Sequence, residues 1–178
     1  IYGDYTKTSG TDHWSYDTDF DGTTLGGSAR EVDVAFSSST SAYYQAGGLS
    51  IIGISTATTT ITNQGSGSYN LTIGGTASTT MRYYEYRNLT ASGVVFTGTP
   101  TVANISNGDI EVSASGGTGM TIGGTVITQN PAKTFTGNRF ATTTAIAATN
   151  VTATGTTVSS WRFTNHSGNL AGEAKDND

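Results

Sequence analysis

The ten residues LTIGGTASTT at 71–80 return in degenerate form as MTIGGTVITQ at 120–129, and this echo constrains the fold more than any other feature of the chain. Each copy alternates an apolar residue, a threonine and an isoleucine, which is the pattern of a short strand with one buried face. A Gly-Gly pair then ends the strand, and a second Thr-rich strand is expected after it in both copies. The offset, from residue 71 to residue 120, falls in the range of stacked-repeat architectures. A strand–turn–strand unit this short cannot cover its own apolar face, so neighbouring units must cover it.

The rest of the chain keeps the same rhythm. In REVDVAF the alternation places Val32, Val34 and Phe36 on one face and Glu31, Asp33 and Ala35 on the other. GGLSIIGIS, STATTTITN and SYNLTIGG give further strands, with Ile52 and Ile54, then Tyr69, Leu71 and Ile73, as inward positions. The two prolines, Pro100 and Pro131, fall between strands, where a missing N–H is tolerated. No window repeats apolar residues at helical spacing over three turns, so long helices are excluded. The expected fold is all-β, a parallel β-helix (β-solenoid), with a β-sandwich as the alternative. Small aliphatics at inward positions and Thr, Ser and Asn at outward ones favour the solenoid, because both stack in columns along its axis.

Three regions follow. Residues 1–29 hold much of the acidic charge together with Tyr5, Trp14, Tyr16 and Phe20, and read as an end layer or first coil. Residues 30–164 form the solenoid body. Residues 165–178, HSGNLAGEAKDND after Asn165, carry no apolar pattern and read as a polar tail or linker whose Glu173, Asp176 and Asp178 fray. The chain opens at Ile1 without a signal-like segment, as a processed protein or part of a longer one would.

Composition narrows the partners. Only 12% of residues are charged, about half the usual fraction. The net charge is −5 and the eight basic residues are scattered, which excludes a nucleic-acid partner. There is no cysteine, hence no disulfide or thiolate chemistry, and no apolar stretch approaches a membrane span.

Phrases such as GDYTKTSGT, YNLTIGGTAST and RNLTASG resemble the coils of long right-handed parallel β-helix proteins of bacterial cell surfaces, adhesin-like or filament-forming. The closing SWRFTNHSGNLAGEAKDND resembles a boundary segment of such repetitive proteins. The resemblance implies an extracellular structural or adhesive role and brings no catalytic residue with it.

Among local motifs, Asp17-Thr18-Asp19-Phe20-Asp21-Gly22 matches the opening of a calcium loop, with Asp17, Asp19 and Asp21 as candidate Ca²⁺ ligands. Ser28 stands where the loop's bidentate Glu belongs and Glu31 is the nearest substitute; the other reading is solvated carboxylates on a turn. Arg82, Tyr83, Tyr84, Tyr86 and Arg87 offer rings and guanidinium groups to a surface glycan or a neighbouring subunit, or else pack across strands on a solvent face. Asp109 with Glu111, and Glu31 with Asp33, share a strand face as the acids of polysaccharide-cleaving β-helices do, while His13 and His166 lie in no nucleophile or zinc motif. N-x-S/T sequons occur at Asn70, Asn88, Asn104, Asn150 and Asn165.

The expected function is that of an extracellular or cell-surface structural protein. It is a β-solenoid unit of a filament, sheath or adhesin, self-associating head to tail with copies of itself, and it is not an enzyme. A parallel solenoid offers unpaired strand edges at both ends, and a heterologous contact between them generates a fibre. The alternative is a carbohydrate-binding module; a polysaccharide lyase or hydrolase comes third.

Overall fold

The computed structural model describes residues 5–7, 11–14, 18–21, 32–37, 41–64, 66–144, 147–155 and 160–177. Strands recur in threes. The first triplet is β1 (Tyr5–Lys7), β2 (Thr11–Trp14) and β3 (Thr18–Asp21), followed by β4 (Val32–Ser37), β5 (Ser41–Tyr44) and β6 (Gly48–Ile52). Next come β7 (Thr59–Gln64), β8 (Tyr69–Ile73) and β9 (Ser78–Arg82), then β10 (Tyr84–Tyr86), β11 (Leu89–Phe96) and β12 (Thr101–Ser106). The remaining elements are β13 (Asp109–Glu111), β14 (Thr118–Gly123), a short helix α1 (Gly124–Gln129), β15 (Lys133–Thr136), β16 (Arg139–Ala141), β17 (Thr149–Thr154), β18 (Trp161–Thr164) and a 3₁₀ turn, Glu173–Lys175.

Every third strand stacks on the one before it, always in parallel. One sheet runs β1-β4-β7-β10-β13-β16, a second β2-β5-β8-β11-β14-β17, and a third β3-β6-β9-β12, with β15 and β18 forming a separate pair. The chain is therefore a parallel β-solenoid, and its three faces enclose a single core.

The core is a set of columns fixed by register. In the first sheet Val34, Ile61, Tyr86, Ile110 and Phe140 are successive partners. In the second, Ala42, Leu71, Val94, Met120 and Val151 stack, beside Tyr44, Ile73, Phe96, Ile122 and Ala153. In the third, Leu49, Thr79 and Val102 run beside Ile51, Met81 and Ile105. The two echo segments occupy equivalent positions in this array. They lie two coils apart, since Leu71 pairs with Val94 and Val94 with Met120.

The echo breaks after its Gly-Gly pair. In the first copy TASTT leads into β9, as expected, but in the second TVITQ forms α1. Val126 and Ile127 of α1 are buried, and Asn130 replaces the missing ladder. Its Oδ1 accepts from the Val102 N–H at 2.8 Å, and its Nδ2 donates to the carbonyls of Pro100 and Val126 at 2.8 and 2.9 Å. One buried amide thus serves backbone groups that a strand would have paired.

The corners between the third and first faces repeat a left-handed residue. Tyr83 (φ 51°), Asn107 (φ 52°), Gly137 (φ 74°) and Asn165 (φ 49°) all take this conformation. Asn is well suited to it, and glycine carries no penalty. Residues 53 to 57 differ from the expected inward pattern as well. Leu49 and Ile51 are buried, whereas Ile52 and Ile54 are only half-buried. The strand ends at Ile52, and Ile54 bridges Ala57 in a turn, so the L-S-I-I run is read one residue earlier than its last isoleucine suggests.

Residues 165–177 do not form the expected fraying tail. Ser167 donates to the Asn138 carbonyl at 3.0 Å and accepts from Phe140 N–H at 2.9 Å; Leu170, buried, donates to the Phe140 carbonyl at 3.1 Å. Asn177 does the same for β17, donating to Val151 and accepting from Ala153, both at 3.0 Å. The segment lacks an apolar period because it is held by backbone bonds to the edges of β16 and β17.

Candidate functional site

The 83–87 stretch divides sharply by face. Tyr84 and Tyr86 are 0% exposed and sit in the core, so neither ring can meet a glycan or a partner, and the expectation is corrected for both. The cause is alternation: Tyr86 continues the Ile61–Ile110 column, and Tyr84 fills the space over Gly108, where a Cβ would overlap its ring. Both hydroxyls are matched, Tyr84 to Asn138 Oδ1 and Tyr86 to Met81 Sδ, each at 2.9 Å. Burial pushes both phenols well above the ordinary value, with the Tyr86 and Asp109 charges adding to the shift at Tyr84. Tyr83 remains half-buried at its corner, with the exposed Arg82 guanidinium 6.0 Å from its ring centre.

Arg87 belongs to an ionic array on the outer face of the first sheet. Register aligns Thr60, Glu85, Asp109 and Arg139 on successive strands. Arg87 Nη2 lies 2.7 Å from Glu85 Oε1 and 2.9 Å from Asp109 Oδ2, and its Nε lies 3.9 Å from Glu111 Oε2. Arg139 Nη1 meets both Asp109 oxygens at 2.8 and 3.0 Å, and Thr60 donates to Glu85 at 3.2 Å. Burial pulls the Arg87 pKa down, but the Asp109 hydrogen bond and the charges of Asp109, Glu85 and Glu111 outweigh it and hold it above its ordinary value. Asp109 and Glu111 do share one face, as the sequence suggests. Each is answered by a guanidinium, so the array reads as a cross-strand clamp.

The acidic motif near residue 20 is partly outside the described residues, which exclude Asp17, Gly22 and Glu31. Asp19 and Asp21 lie on β3, level with Ser50 and Ile52. The described backbone there is an extended strand, where a calcium loop turns back on its ion. Among the described residues no group of three His, Asp or Glu side chains is placed to hold a metal. His13 lies on β2 beside Tyr43 in register, and Asp33 on β4; Asp178 lies outside the described residues. His166 Nδ1 meets the Phe163 carbonyl at 2.8 Å.

The sequons separate by burial. Asn150 is 5% exposed, with its Oδ1 on the Val151 N–H and its Nδ2 3.4 Å from the Gly172 carbonyl, so it offers no site for a glycan. Asn70 is built into an outer ladder, donating to Ser41 and accepting from Thr90. Asn88 and Asn104 donate to Thr62 and Ser106. Asn165 stands exposed at its corner.

The feature that spacing alone does not disclose lies beside β18. A cavity of about 480 Å³ opens beside β18, with Phe140, Val151, Trp161 and Phe163 as its apolar wall and Arg162 and Glu173 at its rim. Trp161 and Phe163 pack on the core, Trp161 edge-on to Phe135 at 5.1 Å and Phe163 edge-on to Phe140 at 5.6 Å. The Trp161 indole N–H donates to the Asn130 carbonyl at 2.8 Å. The sequence signal was there, two large aromatics two residues apart on the last strand. Among the described residues no helix is long and apolar enough to cross a membrane. No family model, curated protein or solved structure matches the chain.

Proposed function

We propose that the chain is an extracellular structural unit, a rigid β-solenoid segment of a surface filament, sheath or adhesin that associates with copies of itself end to end. The observation that carries this reading is the stack of parallel strands itself, beside which Val151, Ala153, Trp161 and Phe163 pack on the core while only partly buried. Partly buried apolar side chains beside a strand edge favour contact with another chain. The low charge and the Thr-rich outer ladders suit close packing of such rods. The clamp around Arg87 adds cross-strand ties along the axis and occupies the carboxylates that a hydrolase would need free, in keeping with a non-catalytic role. Sedimentation velocity across a wide concentration range tests the proposal. Growth into long linear species supports it, and a monomer at every concentration overturns it.

A second reading, a carbohydrate-binding module, keeps one specific support, the half-exposed Tyr83 ring beside Arg82. It predicts glycan binding that Tyr83→Ala abolishes, without any polymer.

A further inference from the structure

We infer that the cavity beside β18 is a binding site for a neutral saccharide of one or two rings, stacked on Trp161 and Phe163 and held at its edge by Arg162, Glu173 and Asp176. The inference is independent of end-to-end assembly. It keeps the ligand class of the second reading above but assigns it to a different part of the surface from Tyr83.

The cavity wall is aromatic and fixed. Trp161 cannot turn freely, because its indole N–H donates to the Asn130 carbonyl at 2.8 Å and its ring stands edge-on to Phe135 and Phe96, at 5.1 and 6.4 Å. Phe163 is set against Phe135 and Phe140 at 5.5 and 5.6 Å. Both rings pack on the core yet are only partly buried, and both line the cavity. Rings already locked lose little conformational freedom when a ligand stacks on them.

The polar rim comes from two segments. Arg162 stands on β18, exposed, between the two rings. Glu173 and Asp176 belong to the 3₁₀ turn and the residue after it, which are tethered on both sides. Before the turn, Leu170 N–H donates to the Phe140 carbonyl at 3.1 Å; after it, Asn177 N–H donates to the Val151 carbonyl at 3.0 Å. Within it, Lys175 N–H donates to the Gly172 carbonyl at 2.9 Å and Asp176 N–H to the Glu173 carbonyl at 3.1 Å. These bonds hold both carboxylate residues on the same cavity as Arg162. Among the described residues no ion pair joins Arg162 to either of them. His166, whose Nδ1 meets the Phe163 carbonyl, is the remaining titratable side chain among the described residues that line the cavity.

The class of ligand follows from what these groups can exchange. An ionised carboxylate only accepts hydrogen bonds and a guanidinium only donates them. An uncharged ligand that meets both needs groups that donate and accept, and hydroxyls do both. The aromatic wall requires an apolar face on the same molecule. A sugar ring has C–H groups on its faces and hydroxyls around its edge, so it satisfies wall and rim together. Charge argues the same way, since two carboxylates against one guanidinium disfavour an anionic ligand. The volume of about 480 Å³ lies within the range of about 300–1,000 Å³ usual for small-molecule sites.

Isothermal titration of the full chain with glucose, N-acetylglucosamine, cellobiose, chitobiose and maltose tests the site, with glucuronic acid as the charged control. At least one neutral sugar is expected to bind saturably and more tightly than glucuronic acid. Arg162→Gln and Glu173→Gln each remove a charged hydrogen-bonding group from an exposed side chain. Each should weaken binding about tenfold and leave the thermal unfolding midpoint unchanged. Tyr83→Ala should leave the affinity unchanged. Fluorescence gives a second, local readout: the chain has two tryptophans, so in Trp14→Phe the remaining emission is that of Trp161, which the bound sugar should shift or quench. Affinity that ignores both Arg162→Gln and Glu173→Gln, or that is lost in Tyr83→Ala, overturns the cavity assignment and leaves saccharide binding elsewhere on the chain. Glucuronic acid as the tightest ligand overturns the neutral class. A wild-type chain that binds none of these sugars at millimolar concentration overturns both the site and the carbohydrate reading, and leaves end-to-end assembly untouched.

Discussion

Asn138 should be the most sensitive polar position in the solenoid. It is 1% exposed and lies immediately before β16. Its Oδ1 accepts from the Tyr84 hydroxyl at 2.9 Å and the Gly108 N–H at 3.1 Å, while its Nδ2 donates to the Ile105 carbonyl at 3.0 Å. Asn138→Ala strands three buried groups at once. Each unsatisfied group costs about 1–3 kcal/mol, and water entering the vacated space recovers part, so the loss should be about 3–6 kcal/mol. For a domain of this length that is roughly 6–24 °C in Tm, read by circular dichroism. Two controls separate bonding from packing. Tyr84→Phe should cost about 1 kcal/mol in the wild type and almost nothing in the Asn138→Ala background, because its partner is already gone. Asn138→Asp keeps the shape but sets a carboxylate against the Ile105 carbonyl, and should be at least as damaging as alanine. An Asn138→Asp chain within about 1 kcal/mol of wild type, or additive effects in the double variant, would refute the argument, since the bonds would then contribute little.

Other positions give tests of the same kind. Asn63 is 6% exposed and neither of its amide atoms has a partner among the described residues, so Asn63→Leu beside Phe36 should raise stability by about 1–2 kcal/mol in thermal unfolding. Arg87→Met leaves Glu85 and Glu111 without their guanidinium; with side chains 24–30% exposed, the loss should be about 1–2 kcal/mol, partly recovered by adding Glu85→Gln. An effect within 0.5 kcal/mol, about the size of a neutral surface change, would show the clamp to be ornamental. Tyr69, Tyr84 and Tyr86 are raised above 10.0 chiefly by burial. Their stabilisation is complete below that unfolded value and is lost as pH rises toward the folded ones. The ultraviolet phenolate signal should therefore show these three ionising only together with loss of the sheet spectrum.

Much of this fold is legible because a solenoid uses the same period-2 code at every level. Val34 and Phe36 in REVDVAF, and Tyr69, Leu71 and Ile73 in SYNLTIGG, are inward as their alternation requires. The code fails where two phases are equally apolar, as at Ile51 and Ile52, and where tertiary bonds override propensity. TVITQ is rich in β-branched residues yet forms α1, because Asn130 meets the backbone on both sides and Val126 and Ile127 are buried. The tyrosine strand misled for a related reason: a run of ring, acid and base looks like surface until stacking shows that only every second residue faces out. The capping segment has no side-chain pattern to read, since its bonds to β16 and β17 are backbone bonds. The cavity beside β18 needed three non-adjacent stretches brought together, which no local spacing encodes.

X-ray diffraction from an aligned, concentrated sample tests the central claim most directly. Head-to-tail assembly stacks parallel strands along the fibre, so the account predicts electron-microscopic filaments one solenoid wide and a meridional reflection near about 4.8 Å, the strand spacing. Dispersed particles of single-chain size, with no such reflection under conditions that concentrate the protein, would contradict it.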